Sequence, residues 1–317
     1  MKILVTATSF MDQDNTGSIE TLKGFADELV LNPFKRPMTA SELVGICEGC
    51  YGIIAGLDHY DSSFFEAAPE SLKVISRYGV GYDRVDIAAA RKRNITVTNT
   101  PGVNSESVAD LTFGLMLAVA RHIPQADREI REGAWPRFGG VELFGKSLGI
   151  LGLGSIGKAV ALRAGGFSMK VSAYDPYIDV RFAEEHGIRI CSFDEIIAGG
   201  DFISVHLPLN GSTSGLIGSE AIAGMKSDAI VINTARGGIV DEKAMYEALT
   251  TGRIRGYGAD AFDKEPPVNE PLLTLPNVVA TPHSGSHTRE AKQKMAALSV
   301  RNLIEVLSGR ECDHVVR

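Results

Sequence analysis

Four cysteines and one tryptophan in 317 residues set the first limits. So few thiols exclude a disulfide scaffold. Cys47 and Cys50 form a C-x-x-C, the spacing of half a zinc site or of a redox couple. No second C-x-x-C or nearby Cys/His pair completes a tetrahedral set, so they read as two reduced thiols and no metal is expected. Positive charge is also short: 32 Lys and Arg against 39 Asp and Glu leave a net charge of −7, and no basic run stands apart. That argues against a nucleic-acid partner. Long apolar runs are missing too. The longest, Leu111 to Ala120, falls well short of the ~20 residues a membrane helix needs. Met1-Lys2-Ile3-Leu4-Val5-Thr6 enters a strand pattern without the apolar region and cleavage site of a signal peptide. No membrane partner and a cytoplasmic location are expected. There is no internal repeat and no low-complexity segment.

Hydrophobic residues make up 44% and charged ones 22%, the balance of an ordinary globular protein, and the length suits two domains. The chain is organised around Leu148-Gly149-Ile150-Leu151-Gly152-Leu153-Gly154-Ser155-Ile156-Gly157. A short apolar run meets glycines spaced G-x-G-x-x-G, and Lys158 to Arg163 opens a helix. Gly152 permits a tight turn, Gly154 lets a pyrophosphate approach bare backbone, and Gly157 lets helix and strand pack closely; the helix N-terminus faces the phosphates. With 34 glycines in the chain, the spacing alone is weak. Context strengthens it: a second apolar run, Lys170 to Tyr174, ends at Asp175, close to the ~20-residue offset at which such folds place a ribose-binding acid. The stretch reads as a dinucleotide site.

From Met1 to about Thr98, strands at Ile3–Thr6, Leu29–Leu31, Gly52–Ala55, Lys73–Ser76 and Ile95–Val97 alternate with helical patterns, which means a parallel sheet covered on both faces. Its loop Arg77-Tyr78-Gly79-Val80-Gly81-Tyr82-Asp83 follows a strand and reads either as an ordinary glycine turn or as a ligand loop. Ser105–Arg121 is a long apolar helix, Ala126–Glu132 a short amphipathic one, and Gly133 to Gly140 a loop that holds Trp135 and Arg137. Six strands from Leu148 to Ala280 suit a dinucleotide domain. The helix Thr288–Leu307 then returns the chain to the first domain, which predicts a substrate domain over 1–98 and 289–317 and an inserted domain over 99–288.

Three segments end strands at the ligand edge of the second domain. They deliver Arg236 in Asn233-Thr234-Ala235-Arg236-Gly237, Asp260 and Glu265 in Asp260-Ala261-Phe262-Asp263-Lys264-Glu265-Pro266, and His283 in Pro282-His283-Ser284-Gly285. Singly, each has a plain alternative: a surface ion pair, an exposed loop acid, a helix cap. Together, arginine, acid and histidine beside a nicotinamide site are the kit for moving a hydride to or from an alcohol carbon next to a carboxylate.

With His206-Leu207-Pro208-Leu209 and Asn99-Thr100-Pro101-Gly102 added, the ordered set resembles the D-isomer-specific 2-hydroxyacid dehydrogenases, and within them the D-3-phosphoglycerate dehydrogenase-like group, over essentially the whole chain. The resemblance implies two Rossmann-like α/β domains, the first flavodoxin-like. It also implies NAD as cofactor and a homodimer with Ser105–Arg121 and the Trp135 loop at its interface. Arg236, Glu265 and His283 would be catalytic. The cofactor would be held by Gly152, Gly154, Ser155, Ile156, Gly157, Asp175, Leu207, Thr234, Ala235, Arg236, Asp260, His283 and Gly285.

The substrate, a small D-2-hydroxy or 2-oxo acid, would meet Arg77, Val80, Gly81, Arg236 and His283 between two domains that close on it. His283 would exchange the hydroxyl proton, and Glu265 would orient the imidazole and favour its protonated form; a guanidinium and an imidazolium already oppose charge developing on oxygen. Arg77 and Arg137 are the candidates for a second anion on the substrate. Larger members carry serine-binding regulatory domains, and none is expected in a chain of this length. Ser284-Gly285-Ser286-His287 departs from the commonest sequel to the catalytic histidine. Two rival readings are a phosphite-type dehydrogenase and an NAD-sensing corepressor-like scaffold. Formate enzymes pair their histidine with glutamine, against Glu265.

Overall fold

Short β-rich runs separated by helical segments give two parallel sheets in the computed structural model, which describes residues 1–316. The described residues divide into two units, 1–104 with 287–316, and Ser105–Ser286. Residues 99–104, placed by sequence in the second domain, belong to the first. The reason is local hydrogen bonding: Thr100 Oγ1 accepts from Gly79 N–H, Asn99 Nδ2 donates to Val80 O, and Asn302 Nδ2 donates to Asn99 O.

The first unit contains β1 (Lys2–Val5), β2 (Glu28–Leu31), β3 (Cys50–Ala55), β4 (Val74–Arg77) and β5 (Thr96–Thr98), in the order β2-β1-β3-β4-β5. This is the flavodoxin-like doubly wound order. Alternate residues supply opposite faces, so that Leu4, Ile53 and Ile75 join one core while Ile3, Ile54 and Val74 join the other. Both faces are buried, which is why the strands read as continuous apolar runs. The helix Arg289–Leu307 covers the second face: Met295, Val300 and Leu303 enter that core, and Ser76 Oγ donates to Ser299 O at 2.8 Å. Each aliphatic side chain so buried contributes about 1.5–3 kcal/mol. Cys47 and Cys50 lie fully buried here as free thiols.

In the second unit the strands are β6 (Ser147–Leu151), β7 (Lys170–Tyr174), β8 (Arg189–Ile190), β9 (Phe202–Val205), β10 (Ile230–Asn233), β11 (Gly256–Ala259) and β12 (Val278–Ala280). Their order is β12-β11-β10-β9-β6-β7-β8, with every pairing parallel. Sequence reading missed β8, two exposed residues on the sheet edge with no apolar run to announce them. Strand order reverses between β6 and β9, the switch point outside whose carboxyl ends such sheets bind ligands. The helix Ser105–Ala120 packs on this sheet, with Thr112 Oγ1 3.0 Å from Thr234 Oγ1. Among the described residues no helix is long and apolar enough to cross a membrane.

Candidate active site

At the switch point the glycines do what their spacing requires. Gly152 has φ of 101°, and a Cβ there would stand 2.7 Å from the His206 carbonyl carbon, so only glycine lets the turn after β6 pass the end of β9. A Cβ on Gly157 would lie 2.0 Å from Gly152 O, which is why helix and turn can touch. Around Gly154 a Cβ would meet nothing within 4 Å. Gly154 is also the N-cap of the helix Ser155–Ala164 and supplies no side-chain cap. Open space over uncapped N–H groups is the cradle a pyrophosphate needs. Ser155 is exposed and Ile156 half-buried beside it.

Asp175 follows β7, its Oδ2 accepting from Leu153 N–H and its Oδ1 from Tyr177 N–H, both at 2.8 Å. The carboxylate is thereby fixed beside the glycine turn with acceptor capacity left over. His206, at the end of β9, holds Ser204 Oγ with Nε2 at 2.8 Å, while its Nδ1 is shielded and has no protein partner. Burial pushes its pKa down to about 3, so the ring is neutral. Leu207 is buried next to it. The cradle, the fixed acid and this orphaned polar atom fit a dinucleotide.

β10, β11 and β12 are neighbours, so the loops after them start side by side. After β10, Asn233 Nδ2 donates to Arg236 O at 2.8 Å and its Oδ1 accepts from Ala235 N–H at 3.1 Å, which curls Thr234-Ala235-Arg236 into a turn. Thr234 is buried, with its hydroxyl toward Thr112. Glu265 arrives on the loop after β11, and its Oε1 lies 2.7 Å from His283 Nδ1. A carboxylate only accepts, so Nδ1 carries the proton and Nε2 is the ring atom left for chemistry. His283 itself sits at φ 50°, a left-handed conformation that non-glycine residues rarely adopt and that clusters at functional sites.

What holds His283 there is Asp260, whose role the sequence did not reveal. Its buried carboxylate accepts from Thr281 Oγ1 at 2.6 Å, Ser284 N–H at 2.7 Å and Gly285 N–H at 2.8 Å. Gly285 is pressed against it: a Cβ there would be 3.0 Å from Asp260 Oδ2. Asp260 and Gly285 thus build the loop on which His283 stands.

In the first unit the loop after β4 is tied by its carbonyls. Thr100 N–H binds Gly79 O at 3.1 Å, Asn99 Nδ2 binds Val80 O at 2.8 Å and Arg77 Nε binds Gly81 O at 2.9 Å. The N–H groups of Val80 and Gly81 have no protein acceptor among the described residues. Arg77, the sequence candidate for the far end of the substrate, lies buried beneath this loop. It is 5% exposed, and its Nη1 donates to the carbonyls of Ala55 and Gly56. These bonds let the guanidinium shape the loop. Arg137 is exposed in the loop of the second unit.

Fold and site together define a dinucleotide-binding α/β protein with an arginine, a glutamate and a histidine on adjacent strand ends. Residues 113–285 match the family model of the D-isomer specific 2-hydroxyacid dehydrogenase, NAD binding domain. The chain is 48% identical over 250 residues to D-3-phosphoglycerate dehydrogenase of Methanocaldococcus jannaschii, covering 78% of this chain and 48% of that one. It is 41% identical over 290 residues to glyoxylate reductase of Korarchaeum cryptofilum, covering 89% and 87%. A crystal structure of a Thermus thermophilus protein superposes over 100% of both chains with a TM-score of 0.88 and 39% identity. The chain belongs to the D-isomer specific 2-hydroxyacid dehydrogenase family. It spans about half the length of the phosphoglycerate dehydrogenases it matches.

Proposed function

We propose that the protein is an NAD-dependent oxidoreductase that interconverts a small D-2-hydroxy acid and its 2-oxo acid. The observation that carries this reading is the 2.7 Å Glu265–His283 pair, on a strand end next to that of the Arg236 turn. Bound NAD supplies hydride donor and acceptor. Arg236 takes the substrate carboxylate, a pairing in which a guanidinium is well matched. His283 Nε2 gives the proton to the carbonyl oxygen in reduction and takes it from the hydroxyl in oxidation, as a general acid and base. Glu265 holds Nδ1–H, fixes the ring and stabilises the imidazolium. The N–H groups of Val80 and Gly81 are read as a further carboxylate-binding element. Asp175 would accept from ribose hydroxyls and repel a phosphate there, which would favour NAD over NADP.

For the substrate, both relatives support the reading: one is a glyoxylate reductase and one a phosphoglycerate dehydrogenase. A glyoxylate- or hydroxypyruvate-like acid and a 3-phosphoglycerate-like acid are therefore the two classes proposed. A homodimer is proposed from the second unit, where Trp135 is 78% and Phe144 66% exposed. The reaction is tested by NADH and NADPH oxidation with glyoxylate, hydroxypyruvate, phosphohydroxypyruvate and 2-oxoglutarate. A strong preference for NADH with one of these acids is expected. Equal kcat/KM with NADPH would remove Asp175 from its assigned place.

A further inference from the structure

The loops that deliver Arg236 and Glu265 come from different strands, yet they touch backbone to backbone. A Cβ on Gly237 would stand 2.0 Å from Phe262 C and 2.4 Å from Asp263 N, so the Arg236-Gly237-Gly238 turn lies directly on the Phe262–Asp263 peptide. Backbone contact is non-directional, and hydrogen bonds add direction to it. Two carboxylates supply such bonds between these loops. Asp263 Oδ1 accepts from Gly238 N–H. Glu242, in the first turn of the helix Glu242–Thr250, accepts with Oε1 from Asp263 N–H at 2.7 Å. The other side of the Gly238 residue is held too, its carbonyl accepting from Gly215 N–H at 2.7 Å. Two residues along the same loop, Glu265 Oε1 accepts from Phe262 N–H at 3.4 Å and from His283 Nδ1 at 2.7 Å.

We infer that Asp263, held in place by Glu242, is a positioning residue that registers the Arg236 turn against the Glu265–His283 pair. It touches no reacting atom. Its side chain grips one catalytic loop at Gly238 while its own backbone belongs to the other, and Glu242 fixes that backbone to a helix that carries neither. Solvent reaches Asp263, so the bond is not a requirement of core packing. The physical weight of such a brace comes from geometry: a misplacement of about 1 Å between groups that bind and groups that react can cost about 10²-fold in rate. The inference rests on the reaction proposed above, because it presumes that Arg236 binds the acid and His283 moves the proton.

The test compares Asp263→Ala with Asp263→Asn, whose amide oxygen still accepts from Gly238 N–H. For the best 2-oxo acid, Asp263→Ala should raise KM about 10-fold or more and lower kcat, with the Kd for NADH within about two-fold of the parent. Asp263→Asn should recover most of both. A merely structural role would lower melting temperature and the content of active enzyme while leaving KM unmoved. KM and kcat within about two-fold of the parent in Asp263→Ala, or equal damage in both variants, would overturn the inference. Hydrogen exchange at the Gly238 amide separates it from the reaction itself. If the parent enzyme reduces none of the acids, the reaction reading falls. Faster exchange at Gly238 in Asp263→Ala would then still support the brace, and unchanged exchange would reject it.

Discussion

At the residue scale, Glu265 and His283 illustrate how a strand end can be legible while its geometry is not. Both stand after apolar runs that the sequence marks as buried strands, so their place at the ligand edge could be read directly. The left-handed φ of His283 and the carboxylate of Asp260 beneath it could not, because Asp260 bonds a loop more than twenty residues on. Glu265→Gln keeps an oxygen for Nδ1–H and removes the carboxylate charge beside the ring. Reduction should slow about 10-fold or more, read from kcat. An unchanged kcat would mean that another group orients the ring. Arg77 was legible in part for a related reason: sequence places a guanidinium beside a loop but does not show carbonyls of Ala55, Gly56 and Gly81 converging on it.

His206 carries the acid-side prediction. Its ring is held neutral down to about pH 3, whereas in the unfolded chain it protonates near the ordinary 6.5. A depressed folded pKa gives stability that is full above 6.5 and is lost as pH falls toward 3. Glu242 works the other way, since burial pushes it up to about 7, among Asp241, Asp263, Glu270 and Lys243; its contribution is full below 4.5 and is lost as pH rises to 7. Comparing parent with His206→Gln cancels the Glu242 contribution. Between pH 7.5 and 4.5 the parent's melting temperature should fall more than the variant's. Parallel curves would show that the ring is not desolvated.

Among elements, glycine turns were the most legible, because each glycine answers one steric demand. The pair Gly152 and Gly157 could be named from their spacing together with the strand, helix and acid around it. Gly157→Ala would put a methyl 2.0 Å from Gly152 O, a contact with backbone that cannot step aside. We expect NADH binding to weaken by more than about 10-fold together with a lower melting temperature, measured by titration and thermal denaturation. Retained NADH affinity would place the cofactor elsewhere. Gly237, by contrast, has no motif to announce it, and its closeness to Phe262 and Asp263 depends on strands β10 and β11 being neighbours. Element boundaries failed where side chains, not periodicity, decide them: Asn99 and Thr100 follow a strand, yet their bonds to Gly79 and Val80 keep them in the first unit.

For the whole molecule, the repeated β-α pattern predicts two parallel sheets, and the strand orders are those of flavodoxin-like and dinucleotide-binding folds. Composition speaks less clearly about assembly, since all it offers is one tryptophan, exposed on its loop. Trp135→Glu should shift the proposed dimer to monomer in sedimentation at micromolar concentration. A parent that is itself monomeric would refute the interface.

The most direct test of the account is steady-state NADH oxidation by the parent and by His283→Ala over the panel of 2-oxo acids. The parent should turn over at least one acid, and His283→Ala should lose about 10²–10⁴-fold in kcat with NADH affinity nearly unchanged. A parent inactive on every 2-oxo acid, or a His283→Ala variant as fast as the parent, would contradict the assignment of Arg236, Glu265 and His283 to hydride-coupled proton transfer.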